Sequence, residues 1–346
     1  MQPEKVVKSG FVVVLMDLKE IGEFGLIDLI QTDAIQDPGT VVVGIGDDAA
    51  VLLPTPRQLQ LVTADMLVEG IHFDLGYTTA WQLGYKAIAV NLSDIAAMGG
   101  VPRHAVISLA LPRQTPVEFV VNLYQGMKEI CREFRVNIVG GDTVASPHGL
   151  IINVAVMGEV EPAQLVRRSG ARVGDIVAVT GVLGSSAAGL DLLGLDNWAE
   201  YDFAWPLVTA HLTPRPQVKA GPLLGLHGAT SMDDISDGLA SEAHEIAKAS
   251  KVGLRIDAAR VPLAPELKQA AAMLGKDPLD YALYGGEDYQ LVFTIGREKF
   301  QALSVIDFGV PLTVIGEVTE AAGSVKLVMD DGTEQELAPR GYNHFR

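Results

Sequence analysis

The sequence has 346 residues, more than one hydrophobic core usually fills, so two domains are expected. Its net charge of −17 excludes the basic surface by which proteins bind nucleic acids, and its apolar runs are shorter than the ~20 residues of a membrane span. The single cysteine, Cys131, excludes a disulfide within the chain and a cysteine metal cluster, and it fits a reducing cytoplasm.

Hydrophobic periodicity predicts alternating helices and strands without a repeating βαβ register. In chain order they are a helix over 23–30, strands over 41–43 and 59–64, a helix over 79–98, a strand over 105–111, a helix over 116–134, strands over 136–139, 151–157 and 173–180, a helix from about 187, a strand over 230–232, a helix over 239–249, and strands over 290–295 and 313–318. Prolines at 206, 214 and 216 predict a loop over 207–216. The pattern indicates two α+β domains, 20–160 and 161–346, behind an N-terminal extension over 1–19.

Aspartates follow the predicted strands at several points, where rigid scaffolds commonly present functional side chains. They are Asp47 and Asp48 after a glycine turn, Asp65, Asp142 after two glycines, and Asp233, Asp234 and Asp237 before a helix. Three acids within five residues repel one another unless a positive charge lies between them. Alternatively, Asp237 caps the helix and Asp234 faces water.

Asp94 lies inside a helix that is otherwise apolar, and a buried carboxylate is costly unless it has a partner. Lys86 is eight residues back, about two turns away, so a bound metal ion is the better explanation. Mg²⁺ takes oxygen ligands and usually binds one or two carboxylates together with substrate phosphates. Scattered aspartates without paired histidines or thiolates therefore favour Mg²⁺ over Zn²⁺.

Phosphate-binding loops of the common types are missing, since there is no Walker sequence and no protein-kinase signature set. The glycine-rich stretch 181–189 could offer backbone donors to a phosphate, or it could be a closely packed strand–turn–helix connection; the sequence leaves both open. Gly285-Gly-Glu-Asp-Tyr289 is predicted to be an acidic turn before a strand.

Eight segments follow one another along the chain: Gly44-Ile-Gly-Asp-Asp-Ala-Ala50, Val62-Thr-Ala-Asp-Met-Leu-Val-Glu-Gly-Ile-His-Phe73, Tyr85-Lys-Ala-Ile-Ala-Val-Asn-Leu-Ser-Asp94, Gly140-Gly-Asp-Thr143, Arg168-Ser-Gly-Ala171, Asp234-Ile-Ser-Asp-Gly-Leu239, Gly285-Gly-Glu-Asp-Tyr289 and Gly341-Tyr-Asn-His-Phe345. Taken in this order, they resemble the thiamine-monophosphate kinase family from about residue 20 to the C-terminus.

The resemblance implies a PurM-like α+β fold, shared with aminoimidazole ribonucleotide synthetase. In that fold the mixed sheet of the N-terminal domain pairs with its copy in a homodimer, and a C-terminal α+β domain completes the active site. The implied reaction is ATP plus thiamine monophosphate giving ADP and thiamine diphosphate, with several Mg²⁺ ions, in the cytoplasm and without nucleic-acid or membrane partners.

The resemblance also implies a role for individual residues. The implied metal positions are Asp48, Thr63, Asp65, Asp94, Asp142, Asp234 and Asp237, of which Asp48, Asp94, Asp142 and Asp237 are the implied catalytic set. ATP would contact Gly141, Asp142, Arg168 and Ser236, and the thiamine part would contact His72, Glu287 and Tyr342. Many relatives carry a hydroxyl residue where this chain has Ala64, so one contact is in doubt.

Two alternatives keep the aspartates: another ATP-using member of the same superfamily, similar to aminoimidazole ribonucleotide synthetase, and a non-catalytic module that binds nucleotides or divalent ions. For the kinase, the residues predict direct in-line transfer, because both reactants are polyanions and charge neutralisation with positioning suffices. An acceptor phosphate oxygen is already nucleophilic at neutral pH, so no strong general base is required.

Overall fold

The structure is a computed structural model that describes residues 5–8, 11–14, 18–46 and 48–342. Asp47, which the sequence analysis placed beside Asp48, lies outside the described residues. Within the described part, no helix is both long and apolar enough to span a membrane.

The strands in the described part are β1 (Lys5–Lys8), β2 (Phe11–Val14), β3 (Val41–Val43), β4 (Val51–Leu52), β5 (Leu59–Val68), β6 (Val101–Pro112), β7 (Asn137–Ser146), β8 (Ile151–Val160), β9 (Ile176–Thr180), β10 (Ser231–Asp234), β11 (Gly253–Asp257), β12 (Leu291–Ile295), β13 (Leu312–Thr319), β14 (Val325–Val328) and β15 (Glu334–Glu336). The helices are α1 (Leu18–Ile30), α2 (Ala80–Ala97), α3 (Val117–Phe134), α4 (Ser185–Leu193), α5 (Ala204–Leu212), α6 (Ala220–Leu226), α7 (Leu239–Ser250), α8 (Pro265–Leu274), α9 (Pro278–Tyr284) and α10 (Arg297–Ala302).

The chain divides into two compact units. Unit 1 takes the described residues of Met1–Pro56, Val62–Asn91 and Pro102–Met157, and unit 2 takes those of Arg57–Leu61, Leu92–Val101 and Gly158–Arg346. β1 and β2 pair antiparallel in a sheet of their own. We predict that deletion of residues 1–15, which include this hairpin, leaves activity intact.

Unit 1 is built around a four-stranded sheet in the order β5-β8-β6-β7, with β6 and β7 parallel. Alternate residues of β8, Ile152, Val154 and Val156, are fully buried, whereas the residues between them are half-buried, so one face of the sheet is covered and the other is open. On α2 and α3, Gly84 and Gly126 allow the close approach of the two helices, because a Cβ at either position would overlap with the backbone of the other helix.

Unit 2 contains a seven-stranded mixed sheet in the order β10-β12-β9-β13-β11-β14-β15. Its strands pair antiparallel except for β11 and β14, which are parallel. The alternation of β9 shows that both faces are covered: Val177 and Val179 pack in one core with α7, whereas Ile176 and Ala178 pack in a second core with α6. The predicted α+β class is thus confirmed.

The long helices agree with the sequence analysis to within one residue at each end, as α2, α3 and α7 show. The predicted loop over 207–216 is wrong, because α5 occupies most of it. Pro206 is tolerated there because it falls in the first turn, where a missing N–H breaks no hydrogen bond of the helix.

Three predicted strands were ended too early. Asp65 lies inside β5, Gly140, Gly141 and Asp142 lie inside β7, and β10 includes both of its aspartates. β5 and β7 are at the two edges of the sheet of unit 1, where a carboxylate can reach solvent without breaking the strand.

Candidate active site

An acidic cluster of Asp94, Asp233 and Asp234 lies at the end of β10 in unit 2. The side chains of Asp233 and Asp234 are almost completely buried. The hydroxyl of Ser93 donates a hydrogen bond of 2.7 Å to Asp234 Oδ2, and this bond fixes Asp234 beside the C-terminal part of α2, which carries Asp94. Asp94 itself is half-buried. Two predicted metal residues that are 140 positions apart in sequence are therefore neighbours.

Burial, and after it mutual repulsion, raises the pKa values in this cluster. The pKa of Asp234 lies well above its usual range, first because the carboxyl is buried and then because Asp94 and Asp233 face it. Burial also raises the pKa of Asp233 to about 6, against the opposing effect of Arg168, whose Nε lies 2.7 Å from Asp233 Oδ2. One cation is thus paired with Asp233, and the cluster retains an excess of negative charge.

Asp237 does not cap α7, so the alternative interpretation of this residue is wrong. The N-cap is Gly238, with φ of 113°, and no side chain caps the helix there. Instead, Glu242 from the first turn of α7 accepts a hydrogen bond of 2.8 Å from the backbone N–H of Asp237. Burial raises the pKa of Glu242 to about 7. The sequence analysis missed Glu242, although an acidic residue in a first helical turn that reaches back to the preceding backbone is a known signal.

The turn over 285–289 is attached directly to the segment that follows β10. The N–H of Glu287 donates to Ser236 O at 2.7 Å, the N–H of Tyr289 to Ile235 O at 2.9 Å, and the N–H of Ile235 to Gln290 O at 2.7 Å. Glu287 and Tyr289 have positive φ values of 66° and 49°, an unusual conformation for residues other than glycine. The structure thus brings the predicted ATP-contacting Ser236 next to the predicted substrate-contacting Glu287.

The side chain of Asp288 occupies the N-terminus of α4. Its Oδ2 accepts a hydrogen bond of 2.5 Å from Gly184 N–H, and its Oδ1 accepts one of 3.3 Å from Ser186 N–H. Burial nevertheless raises the pKa of Asp288 to about 7. Since the protein's own carboxylate takes these donors, the stretch over 181–189 is the closely packed connection rather than an open phosphate-binding loop. Asp288 was missed as an anchor because sequence patterns do not reveal such a distant partner.

Glu287 also contacts a buried histidine. His211 on α5 is 3% exposed, and its Nδ1 lies 3.2 Å from Glu287 Oε2 and 3.1 Å from Ser186 Oγ. The side chain of Glu287 is 27% exposed, so a ligand can reach its carboxylate. The sequence analysis did not single out His211.

The C-terminal part of the described chain runs alongside Asp237. A Cβ on Gly341 would come within 2.9 Å of Asp237 O and 3.1 Å of Ser241 Cβ, so glycine permits this approach. The next residue, Tyr342, is 53% exposed. Arg168 and Tyr342 are thus accessible side chains of unit 2, and their predicted ligand contacts stay predictions.

Unit 1 carries the other predicted site residues. Asp65 and Thr63 point to the same, half-buried side of β5, while Ala64 between them is exposed on the opposite side. The backbone of Asp65 is held by two amides: its N–H donates to Asn91 Oδ1 at 3.1 Å, and its carbonyl accepts from Asn153 Nδ2 at 3.2 Å.

Asp48, Gly141 and Asp142 are all exposed residues of unit 1. Asp142 Oδ1 accepts a hydrogen bond of 2.9 Å from the N–H of Thr143. Gly141 has a structural reason to be glycine, because a Cβ there would overlap with the carbonyl of Ile107 on β6. His72 is half-buried, and its Nδ1 accepts a hydrogen bond of 3.0 Å from Val68 N–H. The roles predicted for these residues stay predictions.

The donor set fits a hard divalent cation. Every predicted ligand offers oxygen, and the clustered carboxylates Asp94, Asp233 and Asp234 carry more negative charge than Arg168 offsets. Among the described residues, no three His, Cys, Asp or Glu side chains form a ready metal-binding group.

Comparisons with known proteins identify the family. Residues 46–160 match the family model for the N-terminal domain of AIR synthase related proteins, and residues 172–328 match the model for the C-terminal domain. The thiamine-monophosphate kinase of Bacillus subtilis (strain 168) is 39% identical over 331 residues, which cover 94% of this chain and 99% of the relative.

Two solved structures are similar over nearly their full length. The crystal structure of thiamine-monophosphate kinase from Stenotrophomonas maltophilia K279a is 34% identical with a TM-score of 0.79, and the match covers 92% of this chain and 98% of that one. AaThiL complexed with AMPPCP and TMP is 38% identical with a TM-score of 0.76, covering 95% and 99%. The predicted PurM-like fold and the predicted resemblance are both confirmed, and the chain belongs to the thiamine-monophosphate kinase family.

Proposed function

We propose that this family member transfers the γ-phosphoryl group of ATP to the phosphate of thiamine monophosphate, giving ADP and thiamine diphosphate. The proposal is supported by a relative, 38% identical over 95% of this chain, whose solved structure contains AMPPCP and TMP. The single observation in this chain that supports it best is the buried carboxylate cluster around Asp234, whose excess negative charge favours a bound cation between protein and phosphates.

The main obstacle to this reaction is the repulsion between two polyanions, which is stronger in a site that excludes water. Mg²⁺, when bound, would neutralise the phosphate charges, and the residues proposed to hold it are Asp48, Thr63, Asp65, Asp94, Asp142, Asp234 and Asp237. The chain's own contribution is to keep these oxygens in place: Ser93 fixes the carboxylate of Asp234, and Glu242 fixes the backbone of Asp237.

Other residues are proposed to orient the reactants. We assign Gly141, Asp142, Arg168 and Ser236 to ATP, and His72, Glu287 and Tyr342 to the thiamine part of the acceptor. The acceptor phosphate is already a nucleophile at neutral pH, so transfer is direct and in-line, with no phosphoenzyme. Trapping one covalently bound phosphate per chain from labelled ATP would contradict direct transfer.

An ADP-release assay tests the proposed function. We expect ADP release with Mg²⁺ and thiamine monophosphate together, and about background release when either is left out. Release of ADP with aminoimidazole ribonucleotide precursors instead would point to the synthetase activity of the superfamily. Binding of ATP without turnover on any of these substrates would point to a non-catalytic nucleotide-binding module.

We also propose that the enzyme is a homodimer that pairs through the open face of the sheet of unit 1. On the edge strand β5, Val62 is 73% exposed and Met66 is 54% exposed, and both belong to the strand face opposite Asp65. Exposed apolar side chains repeated along one strand face commonly mark an interface.

We also propose a cytoplasmic location, which is consistent with the proposed use of ATP and with the free thiol of the buried Cys131.

A further inference from the structure

We propose that His211 is a positioning residue that holds the Glu287 carboxylate in the orientation that recognises the acceptor; this rests on the proposed function. His211 does not touch a reactant in this proposal. It acts through Glu287, and Ser186 Oγ contacts the same ring nitrogen, Nδ1.

The contact is buried at the histidine and accessible at the glutamate. His211 Nδ1 lies 3.2 Å from Glu287 Oε2 and 3.1 Å from Ser186 Oγ, and the ring is 3% exposed. An ionised carboxylate only accepts hydrogen bonds, so the contact requires a proton on Nδ1. The helices around the ring are closely packed, since a Cβ on Gly189 of α4 would overlap with the carbonyl of Leu207 on α5. The imidazole therefore has little freedom to turn.

The backbone beneath Glu287 is fixed independently of His211. Its N–H donates to Ser236 O at 2.7 Å, and the next residue, Asp288, is bonded to the N-terminus of α4. Its φ of 66° is unusual for a residue with a side chain, and the hydrogen bonds on both sides maintain it. The contact with the buried ring of His211 restricts the rotation of the Glu287 side chain above this fixed backbone.

A carboxylate held in this way recognises N–H donors and positive charge, and it repels phosphates. In the proposed reaction only the acceptor carries a positive charge, on its thiazolium ring, and it also offers N–H donors on its aminopyrimidine. Loss of His211 is therefore expected to weaken binding of thiamine monophosphate and to leave binding of ATP nearly unchanged.

The test compares KM for thiamine monophosphate with KM for ATP in the full-length enzyme. His211→Leu should raise KM for thiamine monophosphate by about 10-fold or more, with KM for ATP within about twofold. His211→Asn retains an N–H close to the position of Nδ1 and should restore most of the loss. The matched control is His244→Leu on α7, which removes the hydrogen bond of 2.7 Å between His244 Nε2 and Leu337 O and should move neither constant.

A double-mutant cycle separates positioning from a general structural effect. If His211 acts through Glu287, His211→Leu combined with Glu287→Gln should raise KM for thiamine monophosphate no further than Glu287→Gln alone. Additive effects, or equal increases in both KM values, would overturn the proposal. Should His211→Leu not fold, His211→Phe keeps a planar ring without the N–H, and an unchanged KM for thiamine monophosphate there would overturn it too. The wild-type enzyme tests the proposed function separately. If it released no ADP in response to thiamine monophosphate, the proposed function itself would be refuted.

Discussion

The pair Asp94 and Asp234 shows how a carboxylate can lower the stability of the fold and still serve the proposed chemistry. Their carboxylates face each other near the end of β10, and this proximity contributes to the raised pKa of Asp234. Asp94→Asn removes the repulsion, so without divalent cations the variant should be more stable by roughly 1 kcal/mol. The same substitution should lower kcat/KM by about 100-fold or more, because a carboxylate proposed to bind Mg²⁺ is lost.

Chemical denaturation in EDTA and steady-state kinetics in Mg²⁺ measure these two opposite effects on one variant. Asp330→Asn, at an exposed position, is the control and should change neither quantity appreciably. If the Asp94→Asn variant kept full turnover, Asp94 would be excluded from the proposed metal-binding residues.

Asp288 should make stability depend on pH. Its pKa is raised from 3.8 to about 7 in the folded protein, so the folded state holds this proton more tightly than the unfolded chain does. The stabilisation is complete below about pH 4 and is lost as the pH rises through about 7. The free energy of unfolding of the wild type relative to Asp288→Asn should therefore fall by a few kcal/mol, order of magnitude, between about pH 4 and pH 8.

Urea unfolding of the two proteins in EDTA across this range measures the difference directly. Taking the difference between the wild type and Asp288→Asn cancels the pH effects of groups that titrate in both proteins, such as Asp233 and Glu242. Parallel curves would show that Asp288 is ionised throughout and that its hydrogen bonds to α4 outweigh its burial.

At the scale of the element, β7 contains two adjacent glycines with different surroundings. A Cβ on Gly141 would overlap with the carbonyl of Ile107, whereas a Cβ on Gly140 would meet nothing within 4 Å. Gly141→Ala should therefore destabilise the protein by about 2 kcal/mol, since β6 and β7 must separate locally. Gly140→Ala, the matched control, should be neutral or slightly stabilising, because alanine restricts the unfolded chain.

Thermal or denaturant unfolding of both variants tests this contrast. Equal effects of the two substitutions would mean that the close pairing of β6 and β7 does not require glycine at position 141. The measurement does not depend on the nucleotide contact proposed for Gly141, because it follows stability and not turnover.

The elements also show what could be predicted from sequence. Helices such as α3 and α7 were predictable because a continuous apolar stripe repeats with the helical period. β5 and β7 were predicted too short because an aspartate usually ends a strand, and only the sheet order reveals that both are edge strands. The helix α5 was missed because its proline suggested a loop, although the first helical turn accepts proline.

The candidate site was predictable in its residue types and only partly in its arrangement. Excess carboxylates and the ordered family segments pointed to Asp94 and Asp234, and unit 2 places these two together. The partners that hold the site were not predictable, because Asp288 bonds to Gly184 across 104 positions and His211 contacts Glu287 across 76. Such pairs depend on how the sheet of unit 2 is ordered, and local patterns do not determine that order.

At the scale of the whole molecule, the proposed homodimer has to hold together although each chain carries a net charge of −17. Two like-charged chains repel, so the association must come from apolar surface. The open sheet face of unit 1 offers such surface at Val62 and Met66. Met66→Lys adds a charge that pairing would bury, and it should shift the wild-type dimer to a monomer at micromolar concentration.

Light scattering after size-exclusion chromatography measures the mass of both species. The matched control is Val305→Lys in unit 2, where the valine is 90% exposed and a lysine should leave the mass unchanged. A wild-type chain that elutes as a monomer, or a Met66→Lys variant that stays dimeric, would contradict pairing through this face. If the Met66→Lys variant is monomeric and its free energy of unfolding is lower than that of the wild-type dimer, the open face contributes to stability as well as to assembly. The reason is that pairing of folded chains stabilises the folded state by mass action.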